Sequence, residues 1–207
     1  MKLIELESWF EDLRNLIIDL NISINNAKYL LTDGTETEEN IKKHGFFQHH
    51  SFQLRFIIVI QLDKIFDNNS NQKRNIHKLF NKLKNEDYDH ELTKKLKNNI
   101  GEYNPILSKE DLIERIQKLE KEIEVHTELI DRVKNARNKL YAHSDPEGTV
   151  QSLEWPNLEN LVNLSAKIYN EIYGGLNSSQ MLFEETRDWD VENIVKQLAS
   201  YRDNKRN

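Results

Sequence analysis

The sequence between residues 137 and 143 reads Arg137-Asn138-Lys139-Leu140-Tyr141-Ala142-His143, and Ser144-Asp145-Pro146 follows it. Apolar residues upstream recur every three or four positions, which predicts a helix that begins near residue 109 and ends near residue 143. These residues are Leu112, Ile116, Leu119, Ile123, Ile130 and Val133. Pro146 predicts the end of this helix, because the residue before a proline avoids the α region. With about 35 residues, the helix would measure roughly 50 Å and form the spine of a bundle.

The end of this predicted helix carries three polar side chains of different chemistry. The apolar stripe reaches Arg137 one step beyond Val133, so an arginine lies in line with a core or interface seam. Such a guanidinium is costly to bury unless it has an anionic partner. Asn138 follows directly, and His143 lies near the predicted helix end. A permanent cation, an amide and a titratable imidazole are therefore predicted within about two turns of helix.

This arrangement of residues resembles a known motif. An arginine, a polar residue and a histidine a few positions later, at the C-terminal end of a helix in a small all-α domain, resemble the Arg-X4-6-His motif of the HEPN superfamily. The segment from Arg137 to Asp145 is most similar to the abortive-infection AbiU branch. The resemblance implies a dimeric all-α bundle with metal-independent ribonuclease activity, serving as an antiphage toxin. It also implies RNA as a partner, no cofactor, and an antitoxin or regulatory protein as a further partner.

The three residues suit RNA cleavage by internal attack of the 2′-hydroxyl on phosphorus. This reaction needs a base for the 2′-hydroxyl, an acid for the leaving 5′-oxygen, and stabilisation of the charge at phosphorus. His143 can act as base or acid, because imidazole titrates near neutral pH. Arg137 can bind two phosphate oxygens at once, and Asn138 can orient a catalytic group or the substrate. We therefore predict Arg137, Asn138 and His143 as the catalytic residues.

One copy of the motif contains a single histidine, although the reaction needs two proton-transfer groups. A two-fold dimer that pairs the helix ends would bring two histidines and two arginines into one cleft. The sequence therefore predicts a homodimer with the motif helix in its interface. Two other interpretations stay open. One is a purely structural pair of Arg137 and His143, and the other is a non-catalytic helical module that binds a protein or nucleotide partner through the same groove.

The composition indicates one α-helical domain. The chain has 207 residues, of which 37% are hydrophobic and 31% charged, and it contains only 6 glycines and 3 prolines. These proportions suit one buried core and leave little room for the turns of an all-β fold. The longest apolar run, Phe56 to Ile60, is too short to cross a bilayer, and the N-terminus lacks the apolar core of a signal peptide. With no cysteine in the chain, we expect a cytoplasmic protein.

The periodicity predicts six to seven helices in a single domain of residues 1–207. The predicted helices cover residues 3–32, 35–67, about 70–84, about 90–100, 109–143, 155–173 and 188–201, and residues 202–207 are predicted as a frayed tail. We expect Asp33-Gly34 to end the first helix with a left-handed cap, and Gly174-Gly175 to end the sixth. The second helix is apolar almost all round, which predicts the most buried position, with a break or bend at Gly45.

Four start signals accompany these helices. Thr35 and Glu38 have the spacing of a capping box, and Ser108 with Asp111 repeats the pattern. Ser70 is the predicted cap of the third helix, and Pro156 lies in the first turn of the sixth.

Basic residues concentrate on the third and fourth predicted helices of a chain whose net charge is −6. A solvated face is the simplest interpretation, and contact with an RNA backbone is the alternative. Because the rest of the chain is acidic, any nucleic-acid site must be a local basic patch. The candidate RNA-binding residues are Lys134, Lys139, Tyr141, Arg74 and Lys78.

The sequence predicts no metal site. His44, His49 and His50 lie close together, but adjacent histidines point about 100° apart on a helix and no carboxylate has a matching offset. A di-metal carboxylate bundle needs Glu-x-x-His pairs on two helices, and none occurs. Arg55 lies inside the apolar run of the second helix, so it is either a buried ion pair or a residue at the mouth of a site.

Overall fold

A computed structural model describes residues 1–68, 73–101, 104–142, 153–185 and 190–206, without the side chains of residues 140–142 and 206. Every regular element in these ranges is helical, which confirms the predicted all-α fold. The elements are α1 (Leu3–Leu31), α2 (Glu36–Lys42), α3 (Gly45–Phe66), α4 (Ile76–Asn85), α5 (His90–Lys97), α6 (Lys109–Val125), α7 (Thr127–Ala136), a π-helical turn (Arg137–Ala142), α8 (Trp155–Tyr169), a second π-helical turn (Asn170–Gly174), α9 (Gly175–Asn177), a 3-10 turn (Phe183–Glu185) and α10 (Val191–Arg206). Within the described ranges, no helix is long and apolar enough to span a membrane.

The core is organised around α1, which packs mainly against α3 and α8. Phe10 is fully buried, with its ring centroid 5.7 Å from that of Tyr169 and 5.2 Å from that of Tyr173. The helix ends at Leu31, but the predicted left-handed cap at Gly34 is wrong, because no described glycine has a positive φ. Thr32 takes that role by donating from its hydroxyl to the carbonyl of Lys28 at 2.8 Å.

The second predicted helix is divided into α2 and α3. The capping box of Thr35 and Glu38 is confirmed at the start of α2. The chain then leaves the helix at His44, whose Nδ1 accepts a hydrogen bond from the backbone of Phe46 at 3.3 Å, and Gly45 begins α3. The single predicted helix is therefore two helices, because the side chain of His44 caps the start of α3 where the backbone hydrogen bonds of α2 end.

One side of α3 faces the core, and the other side is open. Leu54, Ile58 and Leu62 are buried, as the apolar composition predicts. However, Phe46 is 65% exposed, Phe52 59% and Phe56 38%, so the prediction that this helix takes the most buried position is wrong. The reason is geometric, because α1, α7 and α8 cover only part of its circumference.

The third and fourth predicted helices appear as α4 and α5. Asn75 caps α4 by accepting from the backbone of Lys78 at 2.8 Å, so the helix begins after the predicted cap, Ser70, which lies outside the described residues. Asp89 caps α5 in the same way. The helix α4 packs on the core through three buried side chains, those of Leu79, Phe80 and Leu83.

The long motif helix consists of three segments instead of one. Ser108 caps α6 through the backbone of Asp111, as predicted. At His126 the backbone leaves the helical region with φ −98° and ψ 7°, and Thr127 begins α7. From Arg137 onward the chain is π-helical, a local widening that occurs frequently at functional sites.

The helix that begins at Trp155-Pro156 continues through both glycines, contrary to the prediction. It passes through the second π-helical turn into α9 and ends at Ser178, which is left-handed with φ 48°. Gly175 does not end the helix, and its lack of a side chain allows the segment at Ile106 to pack closely against it. Its carbonyl accepts from the backbone of Ile106 at 2.9 Å, and a Cβ on Gly175 would lie 2.8 Å from the Ile106 side chain.

The last helix, α10, extends to Arg206, although residues 202–207 were predicted as a frayed tail. Thr37 of α2 donates to a carboxylate oxygen of Asp203 at 2.7 Å, which ties this end to the domain. Val195 and Ala199 are buried, whereas three larger apolar residues of this helix are exposed. Those exposed residues are Ile194, Leu198 and Tyr201. Asp188 and Trp189 lie outside the described residues.

Candidate active site

Arg137 begins the π-helical turn, and one hydrogen bond and one ion pair orient its guanidinium. Nη1 donates to Oδ1 of Asn138 at 2.8 Å, and Nε lies 3.6 Å from Oδ2 of Asp63 on α3. The side chain of Arg137 is 43% exposed, whereas that of Asp63 is 6% exposed. The position of Arg137 in line with the apolar stripe predicted an anionic partner, and Asp63 is that partner.

A second ion pair lies one turn earlier. Nζ of Lys134 lies 2.7 Å from Oδ1 of Asp67, the residue that ends α3. The two cations are three positions apart on one helix and the two carboxylates four positions apart on the other, so both pairs join α3 to the motif helix. Hydrogen bonding to Asp67 raises the pKa of Lys134. Its predicted RNA contact stays a prediction.

The pKa of Asp63 is raised because its carboxyl group is buried. Burial raises the pKa of Asp63 above its ordinary value, the nearby charge of Asp67 raises it further, and Arg137 and Lys134 oppose the shift. A carboxylate in this position loses hydration that its partners restore only in part.

Asp63→Asn is expected to remove a pH-dependent loss of stability. Because the pKa of Asp63 is raised in the folded state, the folded protein binds this proton more tightly than the unfolded chain. The contribution of Asp63 to the free energy of unfolding therefore falls as pH rises from about 3.8 through the raised pKa, and the variant lacks this contribution. Urea unfolding of both proteins across this range measures the difference. A wild-type-minus-variant difference that is independent of pH would contradict the expectation, and so would an equally pH-dependent difference between the wild type and the exposed control Asp33→Asn.

Arg137 opens onto a cleft of about 730 Å³ between α1, α3 and the segment before α4. Arg74, predicted as an RNA contact, lies in the same cleft. It forms an ion pair with Asp12, donates to the hydroxyl of Ser8 at 3.1 Å, and lies 5.6 Å from the ring centroid of Trp9. Two arginines far apart in the sequence thus line one cleft, each held by a carboxylate.

The remaining predicted residues lie in different positions. Lys139 is half-buried in the π-helical turn, and Tyr141 belongs to the same turn. Lys78 is half-buried near the start of α4 and does not line the cleft, as far as the described lining shows. His143 and Ser144-Asp145-Pro146 lie outside the described residues.

Arg55 is neither a buried ion pair nor part of the cleft, as far as the described residues show. Its guanidinium donates to the carbonyl of Leu153 at 2.6 Å and lies 5.6 Å from the ring centroid of Trp155. It therefore fastens the start of α8 to α3. Among the histidines, His44 caps α3 and His50 stacks on Phe46 at 6.2 Å. No group of three or more potential metal ligands occurs within the described part of the chain.

Asp63 and Asp67 are the site residues that the sequence analysis missed. Their signal was present, because two acids one turn apart follow a strongly apolar run. The sequence alone could not identify these two carboxylates as site residues, because their partners, Lys134 and Arg137, lie far from them in the sequence.

The comparisons with known proteins place the chain in a family. The family model described as AbiU2, of the HEPN type, matches residues 3–193. No curated protein and no solved structure matches the chain. Because the match spans nearly the whole chain, including the helical segment that carries Arg137, this protein belongs to the AbiU2 family of HEPN domains.

Proposed function

We propose that this protein is a metal-independent endoribonuclease of the HEPN type, which acts in the cytoplasm as an abortive-infection toxin against phage. Its membership of the AbiU2 family supports this activity class. The observation that carries the proposal is the state of Arg137. Its guanidinium is oriented by Asn138 and Asp63, yet it stays 43% exposed at the edge of a large cleft.

In the proposed reaction the RNA 2′-hydroxyl attacks the adjacent phosphorus. The new P–O2′ bond forms as the P–O5′ bond breaks, which leaves a 2′,3′-cyclic phosphate and a 5′-hydroxyl. One imidazole removes the proton of the 2′-hydroxyl, and another protonates the leaving 5′-oxygen. Arg137 stabilises the negative charge on the phosphoryl oxygens in the transition state. His143 is the proton-transfer residue in this scheme.

Preorganisation of Arg137 is the contribution that the described geometry supports most directly. A guanidinium that is already oriented loses little conformational freedom when it binds a phosphate. Asn138 accepts from Nη1, and the carboxylate of Asp63 lies on the Nε side. Asn138 and Asp63 are therefore positioning residues in this proposal, and Arg137 is the group that contacts the phosphate.

The proposal includes a homodimer with a composite site, because a second copy would supply the second histidine. The exposed aromatic side of α3 supports this arrangement. Phe52 and Phe56 lie on the helix that also carries Asp63, and large exposed apolar side chains are typical of protein interfaces. An antitoxin or regulatory protein that restrains the activity belongs to the same proposal.

RNA cleavage in the presence of excess EDTA tests this function. Purified wild-type protein is incubated with labelled RNA beside His143→Ala and His90→Ala, the second replacing an exposed histidine at the start of α5 as a control. We expect the wild type and His90→Ala to yield cyclic-phosphate ends, and His143→Ala to lose about a hundredfold or more of the rate.

Three outcomes would count against the proposal. Cleavage that requires added Mg²⁺ would exclude the metal-independent mechanism, and equal cleavage by wild type and His143→Ala would exclude the role of the histidine. No cleavage by any of the proteins would favour the alternative, a non-catalytic HEPN-like module that binds a protein or nucleotide partner.

A further inference from the structure

The cleft beside Arg137 carries two lysines that the catalytic proposal does not use. Lys64 on the last turn of α3 and Lys73 before α4 both line it, and both are exposed. Neither forms an ion pair with any carboxylate in the part of the chain that the structure describes. They differ in this respect from Arg74, whose guanidinium is held by Asp12.

The charges that line the cleft make it locally cationic on an acidic protein. Four cations and three carboxylates line it, whereas the chain as a whole has a net charge of −6. Asp12 is engaged by Arg74, Asp19 accepts from Gln61, and Asp63 is held beside Arg137. The two lysines therefore contribute the positive charge that the cleft presents to a ligand.

The shape and lining of the cleft indicate which anion it suits. A volume of about 730 Å³ is within the range of pockets that enclose a ligand of several groups, and the cleft is open to solvent at one side. Leu16 and Ile60 provide an apolar surface against which a ribose or base could lie. Its described lining contains no aromatic residue, so base stacking, the usual source of affinity for unpaired bases, is not offered there.

We propose that this cleft binds the backbone of single-stranded RNA next to the scissile phosphate, with Lys64 and Lys73 contacting flanking phosphates. The choice of RNA as the ligand rests on the function proposed above. Because the contacts are to phosphates, binding depends on strand flexibility and salt and little on base sequence. The net charge of −6 disfavours nonspecific binding, and the exposed lysines of α5 are the competing basic surface that the control variant removes.

A binding experiment that needs no catalysis tests the inference. Fluorescence anisotropy measures the affinity of the full chain for a labelled 2′-O-methyl strand of about ten nucleotides, which lacks the attacking hydroxyl. The proteins are the wild type, the double variant Lys64→Ala/Lys73→Ala, and the control Lys94→Ala/Lys97→Ala, which removes two exposed lysines of α5. Thermal unfolding confirms that each variant is folded.

We expect the cleft variant to bind at least tenfold more weakly than the wild type at low salt, with the control unchanged. Each phosphate contact contributes about 0.7 to the slope of log affinity against log salt for a single strand, so the slope should decrease by about 1.4.

Equal affinity of the wild type and the cleft variant would overturn the inference, as would an equal loss in the control or no binding by the wild type. Cleavage of ordinary RNA by the same proteins separates the two proposals. If the wild type cleaves RNA and the cleft variant binds and cleaves equally well, the cleft inference is wrong while the nuclease stands. If binding requires the two lysines but no RNA is cleaved, the nuclease is wrong while the cleft stands.

Discussion

Arg137→Ala is expected to reduce the rate of RNA cleavage by about a hundredfold to a thousandfold, the usual effect of removing one donor that stabilises transition-state charge. The guanidinium is oriented by Asn138 at 2.8 Å and by Asp63, so its contribution requires little reorganisation during the reaction. Initial rates of cleavage under single-turnover conditions with excess EDTA measure this loss. The exposed arginine of α10, replaced in Arg202→Ala, is the matched control and should retain the wild-type rate.

Arg137→Lys distinguishes charge from geometry. A lysine keeps the positive charge but cannot bind two phosphate oxygens in parallel, so we expect a rate between those of the wild type and Arg137→Ala. Full activity of Arg137→Ala would contradict the catalytic role of the guanidinium. Because Arg137→Ala also leaves the buried Asp63 without this partner, urea unfolding must show that the variant is folded at the assay temperature.

Mixing the wild type with His143→Ala tests whether the site is shared between copies. In the proposed composite site both histidines act in one cleft, so a heterodimer of wild type and His143→Ala lacks one of the two proton-transfer groups. After subunit exchange, an excess of His143→Ala should therefore lower the cleavage rate per wild-type chain well below that of the wild type alone. An unchanged rate per wild-type chain, with heterodimers confirmed by co-purification of differently tagged copies, would indicate that each site is complete within one chain.

Phe10→Ala is expected to lower the free energy of unfolding by about 3–5 kcal/mol, the range for removing a large aromatic side chain from a core. Phe10 is fully buried on α1, and its ring contacts the rings of Tyr169 and Tyr173. Its removal leaves a cavity where α1 meets α8, and it also removes two aromatic contacts. Burial raises the pKa of Tyr169 to about 12, which is consistent with the dry environment of this cluster.

Urea unfolding followed by circular dichroism measures this loss for Phe10→Ala. The control is Ile4→Ala, which removes an exposed apolar side chain from the same helix and should change the free energy by less than about 0.5 kcal/mol. A loss below about 1 kcal/mol for Phe10→Ala would mean that α1 is not the organising helix of the core.

Local signals in the sequence were sufficient for the starts of α2, α6 and α8. Thr35 with Glu38, Ser108 with Asp111, and Pro156 all act within one turn of helix, so residues three or four apart are enough to predict them. Helix ends were predicted less well. The glycines Gly34, Gly174 and Gly175 suggested stops, but one is not left-handed and the other two serve close packing.

In the candidate site too, the sequence predicted the local contacts and could not predict those between distant segments. The sequence identified Arg137 and Asn138, and their hydrogen bond is local. It also required an anion for Arg137, but it could not name Asp63, because that pair forms only when α3 and α7 pack together. Arg74 was identified only as one of several basic residues, and its contacts with Ser8 and Asp12 on α1 hold it in the cleft of Arg137.

The sequence by itself determined the helical class, the order of the helices and the positions of Arg137 and Asn138 near the end of one of them, since each depends on the spacing of neighbouring side chains. The tertiary structure alone decided where the long motif helix divides, which side of α3 stays open, and which carboxylates hold Arg137 and Lys134. The physical reason is that these features depend on contacts between distant segments, whose free energies outweigh local helix preferences of less than about 1 kcal/mol per residue.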